Sequence, residues 1–268
     1  MLGKLLKHEF KATYRIFIPI YIGLAILIGA ACIFLQLFDK FDQAIVVIAS
    51  GFGMIIAIFG LLFVFISPYI FLSMRFYRTT ATREAYLTFT VPADTKVILL
   101  SKFIVAYVWT VITIFLGYLS IGIVVASGGN NNILDMFKFL FDDLSLDTIL
   151  QIISLLLGFA TTVLHIFTSI SLGQLVRDHR VIASLAFYVA IYTIQQIVSV
   201  IVLMPFMISE MSATESSVGF TIGFAEAANT SGTADTSIFI ISILTSLVFA
   251  VVFYFLSNFI LKKKLNLL

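Results

Sequence analysis

One stretch near the middle of the chain combines charged and aromatic side chains at close spacing. We expect the run from Thr79 to Phe89 to be helical, Pro92 to end it, and Asp94 to offer the N-cap of the next helix. The five residues with binding chemistry are Arg83, Glu84, Tyr86, Leu87 and Phe89. Docking energy between proteins concentrates in a few aromatic and charged anchors, so this set favours contact with a partner protein. The alternative is an interfacial helix that lies on lipid.

Polar side chains are few inside the long apolar stretches of the chain. Gln195 and Gln196 fall near the middle of one stretch, and amides at membrane depth need partners across a helix interface. The pair either lines a substrate pathway or joins helices, and the residues leave both interpretations open. We expect His165, in another stretch, to be a hydrogen-bonded packing residue rather than a proton relay. The central parts hold no Asp, Glu, Lys or Arg, which counts against an ion-driven carrier.

Motifs for catalysis and cofactor binding are absent from the sequence. It has no G-x-x-x-x-G-K-[ST] phosphate loop, no G-x-G-x-x-G run, no H-E-x-x-H pair and no cluster of Cys and His. We therefore predict that the chain is not an enzyme, that it has no catalytic residue and that it holds no cofactor or metal. The single cysteine, Cys32, forms no internal disulfide and is expected to be a small packing residue.

Six apolar stretches dominate the chain, which is 61% hydrophobic and 11% charged, whereas a soluble domain is roughly 25% charged. They cover residues 16–38, 44–74, 103–126, 149–172, 181–208 and 238–260. Each provides the ~20 residues that a helix needs to cross a bilayer. A membrane β-barrel would instead show alternating segments of ~10 residues. The sequence predicts an all-α polytopic membrane protein, with one transmembrane domain of six helices over residues 1–268.

The basic residues are distributed unequally between the segments on the two sides of the predicted membrane. Of the 16 Lys and Arg residues, only Lys40 and Lys138 fall on one side. The other side holds Lys4, Lys7, Lys11, Arg15, Arg75, Arg78, Arg83, Lys96, Lys102, Arg177, Arg180, Lys262, Lys263 and Lys264. Because basic loops stay cytoplasmic during insertion, we predict a multi-pass protein of the cell (plasma) membrane with both termini and segments 75–102 and 173–180 inside. This topology accounts for the basic residues, so no nucleic acid partner is inferred.

Residues 1–15, here called the lead, precede the first predicted span. Their apolar side chains recur at helical spacing, at Leu2, Leu5, Leu6 and Phe10. The opposite side holds Lys4, Lys7, His8, Lys11 and Arg15. This pattern predicts a short amphipathic helix at the inner surface of the lipid bilayer. The ~23 apolar residues that follow exceed the 7–15-residue core of a signal peptide, so we expect an uncleaved helix.

Small residues recur on the second span, at Gly51, Gly53, Ala57 and Gly60. Such residues let two helix backbones approach closely. The pattern fits packing of helices within the chain. The alternative is that this face of the helix is the contact face of a dimer.

The segment from Arg75 to Lys102 carries a family resemblance. Its sequence, RFYR followed by REAYLTFTVP and LSK, is similar to the FYR…EAYLTFTLP…SK run common in Firmicute members of the ABC-2-type transporter permease family, which has the type V exporter fold. A basic amphipathic lead, six spans and a structured segment between spans two and three also resemble that family over nearly the whole chain.

The resemblance implies a function and a set of partners. In the family, the segment is the coupling helix that docks in a groove of an ATPase subunit, and the lead is the elbow helix. Two permease subunits, identical or different, work with two ATPase subunits. No nucleotide-binding domain is fused here, so ATP would bind on a separate chain.

Two functions follow as hypotheses. The first is the membrane-spanning permease subunit of an ATP-driven ABC exporter. Movement of the ATPase would reach residues 79–92 and displace the segment around Glu84–Phe89 as a rigid lever, so that helices one, two and five repack. The alternative is a non-transport membrane assembly or sensor protein with a cytoplasmic partner.

Overall fold

The computed structural model describes residues 2–40, 44–81, 94–127, 146–176, 179–211 and 236–263. These ranges form the helices α1 (Leu2–Lys40), α2 (Ala44–Ala81), α3 (Thr95–Ser127), α4 (Leu146–Gly173), α5 (Arg180–Met211) and α6 (Thr236–Lys263). No strand occurs within these ranges. Each helix is long and apolar enough to cross a membrane, so the prediction of an all-α polytopic membrane protein is confirmed.

Each helix contains a predicted span, and three bounds extend well beyond it: α1 begins at Leu2, α2 ends at Ala81 and α3 begins at Thr95. The lead does not form a helix of its own, because α1 continues from Leu2 through the first span over 39 residues. Nothing between Gly3 and Pro19 favours a break, since that interval contains neither glycine nor proline. The lead is therefore a rigid extension of the first span.

Helices α1, α2 and α3 form the first of two compact units, and each helix packs on the other two. Contacts along α1 and α3 advance together, from Glu9 with Lys102 to Tyr21 with Thr113, so these two helices run parallel. Helix α2 runs antiparallel to α1, because its last turns reach Glu9 while Gly60 meets Leu27. Within this unit the helices therefore alternate in direction, as successive spans must.

Helices α4, α5 and α6 form the second unit, in which α4 packs on both of the others. His165 of α4 stacks on Phe253 of α6, and further along both helices Ser171 lies beside Ser257. Helices α4 and α6 therefore run parallel. Helix α5 runs antiparallel to α4, since it begins beside Gly173 at the end of α4. The connection between α4 and α5 is short, because α4 ends at Gly173 and α5 begins at Arg180.

Two other local predictions, for Asp94 and for Cys32, can be compared with the structure. Helix α3 begins at Thr95, and the carbonyl oxygen of Asp94 accepts hydrogen bonds from the backbone N–H of Val97 and Ile98 at 2.9 and 3.2 Å, which confirms its N-cap position. Cys32 is half-buried and packs on a small apolar cluster that includes Leu24. The single transmembrane domain over residues 1–268 stays a prediction.

Candidate functional site

A single carboxylate joins all three helices of the first unit. Glu9 of α1 accepts two hydrogen bonds from Arg75 of α2, from Nε at 2.8 Å and from Nη2 at 2.6 Å, both on Oε2. Its other oxygen, Oε1, accepts a hydrogen bond from Nζ of Lys102 on α3 at 2.7 Å. Both carboxylate oxygens are thus engaged by cations. We call this arrangement the Glu9 clamp.

The Glu9 clamp is largely withdrawn from solvent. The side chains of Lys102, Glu9 and Arg75 are 7%, 15% and 25% exposed. Charge pairs in such surroundings interact more strongly than surface pairs, and removal of one partner leaves a poorly solvated charge behind. The clamp is therefore a stiff joint rather than a loose surface contact.

The two cations of the clamp have a special place in the sequence. Arg75 is the first residue after the second predicted span, and Lys102 is the last residue before the third. They are the two ends of segment 75–102, in which the resemblance lies. Glu9 therefore fixes both ends of this segment to the lead of α1.

The contact between α1 and α3 continues from the clamp as a column of hydrogen-bonded and stacked side chains. Trp109 donates its indole N–H to Oγ1 of Thr13 at 2.8 Å, and its ring stacks on Phe17 with centroids 4.6 Å apart. One turn further, the hydroxyl groups of Tyr21 and Thr113 lie 2.7 Å apart. Since buried indole and phenol groups need such partners, this column sets the register of α1 against α3.

Close helix packing extends to α2. A Cβ atom at Gly60 would overlap the end of Leu27 on α1, and one at Gly117 of α3 would overlap the ring of Phe65 on α2. Gly60 therefore serves packing within the chain, in line with the simpler interpretation of the small residues. Gly51 is exposed, with nothing within 4 Å of a Cβ atom. The surroundings of Gly53 and of the Ala57 side chain lie outside what the structure describes, so the dimer face stays a prediction.

In the second unit, His165 lies within an aromatic stack. Its ring stacks on Tyr188 of α5 with centroids 4.5 Å apart, and on Phe253 of α6 at 5.4 Å. The side chain is buried, as expected for a packing residue. The ring has a backbone hydrogen bond with Tyr188, as expected of a hydrogen-bonded histidine, whereas its Nε2 atom has no partner among the described residues. Stacking against two rings also holds the imidazole in place.

Hydroxyl groups extend this contact between α4 and α6. Thr168 donates to the carbonyl oxygen of Phe253 at 3.0 Å, and the hydroxyls of Ser171 and Ser257 lie 3.1 Å apart. All of these side chains are buried, as is that of the neighbouring Asn258. Interhelical hydrogen bonds of this kind stabilise membrane helix pairs by about 0.6 kcal/mol each. The polar face of α4 therefore serves helix packing.

The predicted pathway residues Gln195 and Gln196 lie on α5 and are half-buried. No hydrogen bond joins either amide to another described residue. The structure brings neither into the aromatic stack of His165, and their role in a pathway stays a prediction.

The predicted partner-binding residues Arg83, Glu84, Tyr86, Leu87 and Phe89 lie outside the described residues. The described part of their segment is the end of α2, which continues as helix to Ala81, seven residues beyond Met74. The predicted short helix is thus described only over 79–81, where it belongs to α2. Residues 133–146, where bulky apolar residues alternate with Asp and Lys and predict an outer interfacial helix, lie almost entirely outside the described residues.

The lead shows the predicted two faces. Its apolar residues Leu2, Leu5, Leu6 and Phe10 are half-buried, and its basic residues Lys4, Lys7, His8, Lys11 and Arg15 are exposed. Phe10 lies against Trp109 of α3, with ring centroids 6.4 Å apart, so it packs on protein. Contact of Leu2, Leu5 and Leu6 with lipid stays a prediction.

Sequence reasoning missed the Glu9 clamp. The signal that was present is one acid within a basic lead, on the helix face that continues through Thr13 and Phe17. An acid among five basic residues on a surface helix is ordinary, whereas an acid on the packed face requires a cation.

Comparison with known proteins finds no family model, no curated protein and no solved structure that matches the chain.

Proposed function

We propose that this chain is the membrane-spanning permease subunit of an ATP-driven exporter, in the manner of the ABC-2-type family that segment 75–102 resembles. It would span the cell (plasma) membrane and work with a separate ATPase subunit and a second permease subunit. ATP would be hydrolysed on the ATPase, and residues 79–92 would receive the movement that drives export.

The observation that carries this proposal is the Glu9 clamp. A pushing or pulling force on the inner segment would act on its two ends, Arg75 and Lys102. Both ends are bonded to Glu9, so the force would reach α1, α2 and α3 together. A loop that served only as a connection would need no such joint to a third helix.

Two further features support the same function. Helix α2 continues to Ala81, so the beginning of the inner segment is a rigid extension of a membrane helix. The spans contain no Asp, Glu, Lys or Arg in their central parts, where an ion-coupled carrier would bind its coupling ion. Energy for transport would then come from a partner.

The test begins with ATPase binding. The chain is co-expressed with the ATPase encoded beside it, and Glu84→Arg and Phe89→Ala are compared with the double variant Asp142→Asn/Asp143→Asn. We expect both segment variants to lose the ATPase in pull-downs, because each removes an anchor, and the double variant of the opposite predicted side to retain it. If both segment variants retain the ATPase, the docking assignment fails, and the assembly or sensor function becomes the better hypothesis.

A second measurement separates docking from transmission of force. In the Glu9→Gln variant the ATPase still binds, but helix α1 should no longer follow the segment. The native thiol of Cys32, 4.0 Å from the carbonyl oxygen of Ile123, reports on the contact between α1 and α3. We expect a non-hydrolysable ATP analogue to change the rate of maleimide labelling at Cys32 in the wild-type complex and not in Glu9→Gln, with Lys7→Gln as the matched control.

A further inference from the structure

The Glu9 clamp has one more positive charge than negative. Two cations, Arg75 and Lys102, share the carboxylate of Glu9. Neither cation pairs with a second acid among the described residues. The described part of the chain therefore leaves a surplus of one positive charge in a place that is mostly withdrawn from water.

The cations also retain hydrogen-bond donors. A guanidinium has five N–H groups and an ammonium has three. Arg75 directs Nε and Nη2 to Glu9, and Lys102 uses one N–H for the same carboxylate. Arg75 is the most exposed member of the clamp, so its remaining donors are the accessible ones. A partly buried cation with spare donors favours an anion with several acceptor oxygens.

The depth of the clamp in the bilayer follows from the sequence. Arg75 directly follows the apolar stretch 44–74, and Lys102 directly precedes the stretch 103–126. Glu9 lies seven residues before Ile16, which is about 10 Å along a helix. The headgroup layer extends about 5–8 Å beyond the hydrocarbon core. Arg75 and Lys102 therefore lie at the boundary between the hydrocarbon core and the headgroup layer, within reach of the inner phosphate groups, and Glu9 approaches them from the outer edge of that layer.

We propose that the clamp binds the phosphate of an anionic phospholipid of the inner leaflet, through Arg75 and Lys102. The phosphate balances the surplus positive charge and accepts hydrogen bonds from the N–H groups of Arg75 and Lys102 that do not bind Glu9. The exposed cations of the lead attract anionic lipids to the same surface without fixing any one of them. This site does not depend on an ATPase or on transport.

The test uses the purified full-length chain in neutral detergent, with the midpoint of thermal unfolding as the readout. Phosphatidylglycerol should raise the midpoint of the wild type more than phosphatidylcholine does. The Glu9→Gln variant should be less stable in phosphatidylcholine, and phosphatidylglycerol should raise its midpoint by more than that of the wild type, because the lipid phosphate takes the place of the missing carboxylate. A clamp without a lipid site gives no such rescue, and that result would overturn the proposal.

Matched variants separate the site from diffuse attraction. Arg75→Lys keeps the charge but removes the paired N–H donors of the guanidinium. Phosphatidylglycerol should therefore raise the thermal midpoint of this variant by about half as much as that of the wild type. The control Lys4→Gln/Lys7→Gln/Lys11→Gln removes three exposed charges and should retain most of the effect. An equal loss in this control, or no loss in Arg75→Lys, would assign the effect to general electrostatics and refute the site. If inorganic phosphate reproduces the full effect, the ligand is free phosphate and not a lipid.

Discussion

The pair of Glu9 and Lys102 offers a direct measurement of how strongly the first unit depends on its charged joint. At 2.7 Å and an effective dielectric constant of ~20, Coulomb's law gives an attraction of about 6 kcal/mol. Loss of hydration offsets roughly half of it, since both side chains are mostly buried. We therefore expect a net coupling energy of about 3 kcal/mol between these two residues.

A double-mutant cycle measures this coupling. Glu9→Gln, Lys102→Met and the double variant are purified, and their free energies of unfolding are compared in a neutral detergent. Glu9→Gln leaves two cations without their acid, and Lys102→Met leaves Glu9 with Arg75 alone, so both changes should destabilise, the first more strongly. The double variant should be less destabilised than the sum of the two singles by the coupling energy. Additivity to within ~0.5 kcal/mol would refute the reasoning, because independent residues behave in that way.

Three other outcomes are expected. In a Cys32→Ala background, a cysteine at Thr88 should react with an impermeant maleimide only after the membrane is opened, and labelling from outside in intact cells would reject the predicted topology. Gly173→Ala should lower the thermal midpoint by several degrees, because its Cβ would lie 2.7 Å from backbone atoms of Ser184, whereas Gly158→Ala, with nothing within 4 Å, should not. His165→Phe should leave the thermal midpoint nearly unchanged, since the stack is retained and the lost backbone hydrogen bond with Tyr188 is offset by removal of the unpaired Nε2; a large loss of stability would show that Nε2 has a partner.

The positions of the membrane helices were predictable from the sequence because the bilayer fixes their length and composition. Few charges interrupt an apolar run long enough to cross, so the bounds of α4 and α5 differ from the predicted spans by only a few residues. The N-cap at Asp94 was also predictable, because capping is decided within one turn of helix.

The Glu9 clamp was not predictable in the same way. Glu9 and Lys102 are 93 positions apart, and a single sequence gives no measure of which distant residues meet. The continuity of α1 through the lead was missed for a different reason. The amphipathic pattern of residues 1–15 indicates which face is apolar, but not whether lipid or protein covers it, and here the ring of Trp109 lies against Phe10.

The Glu9 clamp also has a consequence for synthesis. Glu9 is made before both of its partners, since Arg75 and Lys102 follow 66 and 93 positions later. At ~5–20 residues per second, the carboxylate waits about 5–20 s for its second cation. A ribosome that pauses within α3 would hold the chain with an incomplete clamp, so the arrival of Lys102 marks the moment at which the first three helices can close.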